Sequence, residues 1–238
     1  MSHENLFLIA GKTSTGKSAS LRTIKDPKGV IYLNCEGKKL PFNSKFQEYT
    51  VTDPLQLYDA FAKANAMPEV HTIIVDSLTY MMDMYETMHV LTATNTMKAW
   101  GNFQQFFKKL IFEHVTPSDK MVIFTAHTVD QLNETEMVME TFVPIKGALK
   151  NNGIESYFTT VVSTKKVPIK SLPDTESPLL TISEEEKLLG FKYVYQTRLT
   201  KETVNERIRS PFTMWDPSET FIDSDAQHVI DKLQSFYS

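Results

Sequence analysis

The sequence predicts an α/β fold built on an open sheet, and three observations carry that prediction. Apolar runs of strand length occur at residues 6–10, 30–34, 70–75 and 120–126, with helical spacing between them. The first run leads into Gly11-Lys12-Thr13-Ser14-Thr15-Gly16-Lys17-Ser18 and then into a segment of helical character, residues 19–25. The third run ends on Asp76.

The order strand, glycine-bounded loop, Gly-Lys-Ser, helix is the sequence form of a phosphate-binding P-loop. Gly11 and Gly16 let the backbone curl with its N–H groups inward and no Cβ in the way. A helix N-terminus adds partial positive charge behind a phosphate. Lys17 is expected to reach the β- and γ-phosphates, and the Ser18 hydroxyl to ligate Mg²⁺. The nucleotide-binding set read from the motif is Gly11, Lys12, Thr13, Ser14, Thr15, Gly16, Lys17, Ser18 and Ala19. Within it, Lys12 has no defined motif role, and its side chain is expected to be solvated.

The chain has 238 residues, 41% hydrophobic and 23% charged, with a net charge of −4. That composition is close to a soluble globular average and can bury a substantial core. No apolar run approaches a membrane span, and no secretory leader is expected, which together point to the cytoplasm. Cys35 is the only cysteine. It excludes an intrachain disulfide and a multi-cysteine metal site, and reads as a small buried hydrophobe. An acidic balance confines any nucleic-acid contact to local patches. Arginine is confined to Arg22, Arg198, Arg207 and Arg209.

Taken in order, residues 26–29 form a turn and residues 30–34 a buried strand followed by Cys35, Glu36 and Gly37. Glu36 stands just past a strand's C-terminal end, where ligands bind in open α/β sheets. It is either an ordinary loop glutamate or the group that orients or deprotonates a water attacking the γ-phosphate. Residues 49–51 read as a short strand. Residues 53–66 read as a helix with Asp53 as N-cap and Pro54 at the first position. The strand ending in Asp76 has the form of a Walker B element, whose aspartate binds Mg²⁺ directly or through water. Because Ser77 and not a glutamate follows it, Glu36 is the best carboxylate for the water.

Residues 78–95 are methionine-rich and read as adaptable core. Residues 90–96 read as a mobile loop, and residues 97–115 as a helix with Trp100, Phe103, Phe107, Leu110 and Ile111 inward. His127 ends the next strand, as a core histidine or as a sensor of the γ-phosphate. Residues 128–140 are polar and acidic, forming a hairpin or a loop that orders on binding. A short helix at 148–154 and a strand at 158–163 complete residues 1–163 as the core. Residues 164–190 read as an irregular, partly disordered excursion, because Pro168, Pro173 and Pro178 interrupt them. Residues 191–238 add a strand and a C-terminal amphipathic helix to the same domain. Arg207 and Arg209 read three ways: a finger reaching a neighbouring subunit's γ-phosphate, a surface ion pair, or a nucleic-acid phosphate contact.

GKTSTGKS, NCEG, IIVDSLT, IFTAH, VPIKGALKNNGIESYF and FIDSDAQHVIDKLQSFY, in that order, resemble bacteriophage RecA-like P-loop ATPases associated with single-strand annealing and recombination. The resemblance covers most of the chain apart from residues 165–190. It implies a mostly parallel twisted sheet flanked by helices, with the catalytic glutamate at Glu36 and the polar sensor at His127. It further implies ATP and Mg²⁺ as cofactors, single-stranded DNA as partner, and self-association into a ring or filament. A phage single-strand binding protein is a further implied partner, and a membrane is not. The family's DNA loops correspond to parts of residues 90–102 and 128–140. The second carries Asp130, Glu134, Glu136 and Glu140 and no lysine, a departure from a basic DNA loop. Lys146 falls where such filaments can place a basic residue near a neighbour's nucleotide. Two functions follow: an Mg²⁺-dependent ATPase that assembles on single-stranded DNA, or a non-hydrolysing nucleotide switch that binds a protein partner.

Overall fold

Along the first strand, β1 (Leu6–Gly11), side chains alternate between two hydrophobic layers. Leu6, Leu8 and Ala10 enter one, Phe7 and Ile9 the other, and each is almost wholly buried. A strand buried on both faces reads as one continuous apolar run, which is why the segment shows no polar alternation. The computed structural model describes residues 4–172 and 177–238.

The other strands are β2 (Val30–Asn34), β3 (Gln47–Thr50), β4 (Thr72–Asp76), β5 (Met121–His127), β6 (Val129–Asn133), β7 (Val138–Phe142), β8 (Thr160–Pro168), β9 (Phe191–Gln196) and β10 (Phe221–Asp223). Eight of the described strands form one sheet in the order β10-β9-β8-β1-β5-β4-β2-β3. Pairing from β8 through β3 is parallel, and β9 and β10 add antiparallel at one edge. This is the α/β fold with a mostly parallel sheet. β5 lies between β1 and β4, in register so that Gly11 faces His127, while Asn34 faces Asp76. The C-terminal ends of β1, β2, β4 and β5 therefore share one sheet edge.

Helices α1 (Gln56–Asn65), α2 (Leu78–Tyr85) and α3 (Thr96–Lys109) cover one face. They bury Phe61, Met81, Met82, Phe103 and Phe107 against Leu8, Leu33, Val75 and Phe124. Trp100 is only half-buried, and Met88 is exposed. π-helical turns extend α2 over Glu86–Val90 and α3 over Leu110–Val115. Two short helices, α4 (Leu149–Asn152) and α5 (Glu184–Leu189), precede α6 (Ala226–Tyr237). On the opposite face, α6 places Val229, Ile230 and Leu233 in the layer that holds Phe7 and Ile9. Each such burial stabilises the fold by roughly 1.5–3 kcal/mol.

Three expectations change, and of the two readings of residues 128–140 the hairpin is the one seen. The helix after the loop is a six-residue 3-10 helix, Ser18–Thr23, not a helix to residue 25. Ser20 Oγ donates to Lys17 O at 2.5 Å, a side-chain bond that competes with the helical ladder. Pro27 disfavours a helical Asp26, which adopts φ 46°. Asp53 does not cap α1, which starts at Gln56; its Oδ1 instead accepts from Leu55 N at 2.9 Å. Residues 128–140 contribute a β6–β7 hairpin. Within residues 164–190, β8 continues to Pro168 by pairing antiparallel with β9, and α5 is opened by a Ser183–Glu186 capping box. The expected disorder around Pro173 falls outside the described residues. Among the described residues, no helix is long and apolar enough to cross a membrane.

Candidate functional site

The loop after β1 is shaped by two glycines for different reasons. A Cβ on Gly11 would lie 2.0 Å from Thr164 Oγ1 and 2.9 Å from Thr164 O, so strand β8 admits only hydrogen there. Gly16 takes φ +92°, a conformation side chains rarely adopt. Thr15 Oγ1 donates to Lys12 O at 2.8 Å and pairs with Thr164 Oγ1 at 2.5 Å, closing the curl. Lys17 Nζ donates to Gly11 O at 3.0 Å and Lys12 O at 2.9 Å. Burial pushes its ammonium down to about 8, against the raising effect of Asp76 and Glu36.

Asp76, at the end of β4, is buried and accepts three hydroxyl hydrogen bonds. Ser18 Oγ and Tyr32 OH donate to Oδ2 at 2.8 and 2.7 Å, and Thr125 Oγ1 donates to Oδ1. Burial and the Asp76 charge push the Tyr32 phenol far up, so it stays a donor. Ser18 Oγ and Asp76 Oδ2 thus stand side by side as hard oxygen donors. Mg²⁺ characteristically takes one or two protein oxygens and completes its shell with phosphates and water. The pair fits that requirement. Among the described residues no cluster of three or more His, Cys, Asp or Glu side chains could hold a metal alone.

Glu36 and His127 meet across this edge. Glu36 Oε1 accepts from Ser77 Oγ at 3.1 Å and lies 3.2 Å from His127 Nε2, while Lys38 Nζ lies 3.5 Å from Oε2. These contacts, His127 first, hold the Glu36 carboxyl down to about 2 although burial opposes them. His127 Nδ1 lies 3.2 Å from Lys17 Nζ. An ammonium only donates, so Nδ1 accepts and Nε2 carries the hydrogen offered to Glu36. His127 N is fixed by Thr79 Oγ1 at 2.9 Å. The Asp76–Ser77 peptide is cis. Cys35 is buried, and its thiol is pushed up to about 12. That leaves it inert.

These groups open onto a cavity of about 610 Å³. Thr13, Ser14, Gly16, Lys17, Ser18 and Ala19 line it, with Glu36 and His127 facing them. Lys12 does not. Its ammonium, expected to be solvated, pairs instead with Asp130 on β6, while its carbonyl accepts from Thr15 and Lys17 within the loop. Thr15 points to Thr164. Arg207 and Arg209 lie away from the chain's own cavity. Arg207 Nη1 pairs with buried Glu155 at 3.1 Å, an ion pair like the second of the three readings. Arg209 joins Val161 through backbone hydrogen bonds and offers Nη1 to Ser156 O at 3.4 Å. Lys146 pairs with Glu86 at 2.8 Å.

Several site residues carry no local signal in the sequence. Tyr32, Ser77 and Thr125 are ordinary strand and turn residues until the parallel register brings them to Asp76 and Glu36. The far wall of the cavity comes from Tyr193, Asp223, Ser224 and Asp225, some 180 residues or more after the loop. Tyr193 is the exposed position of β9, whose Lys192, Val194, Tyr195 and Gln196 are buried.

No curated protein matches the chain. A family model described as an AAA domain matches residues 3–192, a stretch that holds the phosphate loop, Glu36, Asp76 and His127. With the loop and its carboxylates assembled at one edge of a parallel sheet, the chain belongs to the AAA-domain family of P-loop ATPases.

Proposed function

We propose that the protein is an Mg²⁺-dependent ATPase whose ATP-bound form assembles on single-stranded DNA and promotes annealing or strand pairing in phage DNA metabolism. The observation that carries the hydrolytic part is the line Lys17–His127–Glu36 beside the Ser18–Asp76 pair. Lys17 holds the β- and γ-phosphates. Ser18 and Asp76 hold Mg²⁺, which neutralises charge on those phosphates when bound. Glu36 remains ionised at neutral pH and orients the attacking water; a carboxyl near 2 is a weak base, so orientation is its larger contribution. His127 touches both the lysine and the glutamate, and so couples phosphate occupancy to the water-orienting group.

The DNA part rests on the resemblance and on one adjacency. The β6–β7 hairpin starts two residues after His127 and is tied to the phosphate loop by Lys12–Asp130. A change at the loop therefore reaches the hairpin directly. Arg209, exposed and held only by backbone and one long hydrogen bond, is the better candidate for a finger acting on a neighbouring subunit. The hairpin's own surface favours a second reading. It is acidic and exposes Val129, Leu132, Met137 and Met139, chemistry suited to a protein partner of a nucleotide switch.

Steady-state ATP hydrolysis with Mg²⁺, with and without single-stranded DNA and across protein concentration, tests the proposal. Stimulation by DNA that rises more than linearly with protein is expected. ATP binding with a flat, near-zero rate would establish the switch instead.

A further inference from the structure

The cavity that receives the phosphates has a second wall, formed where the antiparallel edge of the sheet meets α6. Tyr193 on β9 and Ser224 between β10 and α6 stand on it. A methyl group placed on Gly16 would lie 3.7 Å from Tyr193 Cδ1 and 4.0 Å from Ser224 Oγ, so both side chains border the phosphate loop. Tyr193 is 40% exposed, although Lys192, Val194 and Tyr195 beside it are buried. Phe191 meets its ring at 90° with centroids 5.7 Å apart, an edge-to-face contact that leaves ring surface uncovered.

Ser224 is the opposite case. It is 9% exposed, and its Oγ has no hydrogen-bond partner. Buried hydroxyls ordinarily have one. The charged groups around it are already engaged. Lys192 bridges Glu186 and Asp223 at 2.7 and 3.0 Å. Asp225 Oδ1 accepts from Thr23 Oγ1 at 2.5 Å and Gln227 N at 2.8 Å. Among the described residues of this wall, Ser224 Oγ is the buried polar side-chain atom left without a partner.

We propose that Tyr193 and Ser224 form the nucleoside end of the site and make it selective for purine nucleotides without separating adenine from guanine. The inference rests on the ATPase reading above and adds what chooses the nucleotide. The base lies on the Tyr193 ring, where the larger purine face gains more than a pyrimidine. Ser224 meets the polar edge of the nucleoside. A hydroxyl both donates and accepts, so it satisfies either purine. Neither residue takes part in hydrolysis.

Equilibrium binding of ATP, GTP, CTP and inorganic tripolyphosphate, each with Mg²⁺, to the wild type, Tyr193→Ala, Tyr193→Phe and Ser224→Ala tests this. In the wild type, ATP and GTP are expected within about threefold of each other, and both at least roughly tenfold tighter than tripolyphosphate, with CTP between. Tyr193→Ala brings ATP to within about threefold of tripolyphosphate, whose own affinity is unchanged and reports an intact fold, while Tyr193→Phe keeps the nucleoside advantage. Ser224→Ala weakens ATP and GTP alike by about fivefold. An unaltered ATP-to-tripolyphosphate ratio in Tyr193→Ala overturns the proposal, as does a wild-type preference for ATP over GTP above about tenfold. A wild type that binds neither nucleotide nor tripolyphosphate overturns the phosphate-loop reading itself, and this inference with it.

Discussion

Lys17 Nζ lies 3.2 Å from His127 Nδ1, so the lysine of the phosphate loop donates to the end of the neighbouring strand as well as to its own loop carbonyls. Burial holds this ammonium down to about 8. A bound triphosphate places negative charge beside it and raises that value. The complex then holds more protons than the free protein near pH 8, so binding takes up protons and affinity falls as pH rises past about 8. Calorimetry near pH 8 in two buffers of different ionisation enthalpy reads this uptake. Lys17→Ala should lose it and weaken ATP binding by roughly a hundredfold. Turnover unchanged in that variant would remove the loop from the mechanism.

Glu36→Gln should bind ATP normally and lose turnover by roughly 10²–10⁴-fold. It should also alter acid stability. The wild-type carboxyl sits at about 2, against an ordinary 4.5. A folded value below the unfolded one stabilises fully above about 4.5, and the contribution is lost as pH falls toward about 2. Thermal melts across that window should fall less steeply for Glu36→Gln than for the wild type. Normal hydrolysis by the variant would assign the water to another group.

His127→Ala removes the largest contribution holding Glu36 down. The Glu36 carboxyl, followed by carbon NMR, should titrate higher, toward its ordinary value. Turnover should drop by about tenfold or more, with ATP affinity little changed. A Glu36 titration that does not move would show the two side chains to be uncoupled.

Arg207 and Arg209 should separate cleanly. Arg207→Ala leaves buried Glu155 without its cation, 3.1 Å away in the native pair. Breaking a fully buried pair costs about 3–5 kcal/mol; the partial exposure of Arg207 reduces that to roughly 1–3. Arg209→Ala should change stability by less than about 0.5 kcal/mol and lower turnover only at concentrations where the protein assembles. Equal activity at every concentration would remove Arg209 as a finger.

Gly11→Ala asks whether β8 shapes the loop. The added methyl meets Thr164 Oγ1 and the Thr164 carbonyl, and the carbonyl cannot swing aside. A loss of roughly 1–3 kcal/mol is expected. Pairing it with Thr164→Ala, which removes the clashing hydroxyl, would restore little, because the backbone contact remains. Full recovery in the pair would show that the side chain alone sets the limit.

The phosphate loop was legible because its chemistry needs adjacent residues: two glycines, a lysine and a serine in one run. Asp76, Glu36 and His127 were legible by position, each following an apolar run, since parallel strands deliver their C-terminal ends to one edge. What stayed hidden depends on register and distant pairing. Tyr32 and Thr125 reach Asp76 only because β2 and β5 flank β4. Residues 164–168 looked irregular because they lead into a stretch interrupted by Pro168, Pro173 and Pro178, yet β9 pairs with them and makes them strand. The helix after the loop was overestimated because Ser20 spends its hydroxyl on the backbone.

The family match ends at residue 192, whereas Tyr193, Ser224 and Asp225 complete the cavity from beyond it. Those later residues also brace the loop's helix: Tyr195 pairs with Ser20, and Asp225 with Thr23. Residue 192 lies inside β9, and the stretch after it packs Tyr195, Ile222, Val229 and Leu233 against Phe7 and Ile9 of the loop's own strand. Residues 193–238 are therefore a buttress poured in one piece with the loop they hold, and cutting the chain where the family match stops would split a strand and loosen that loop.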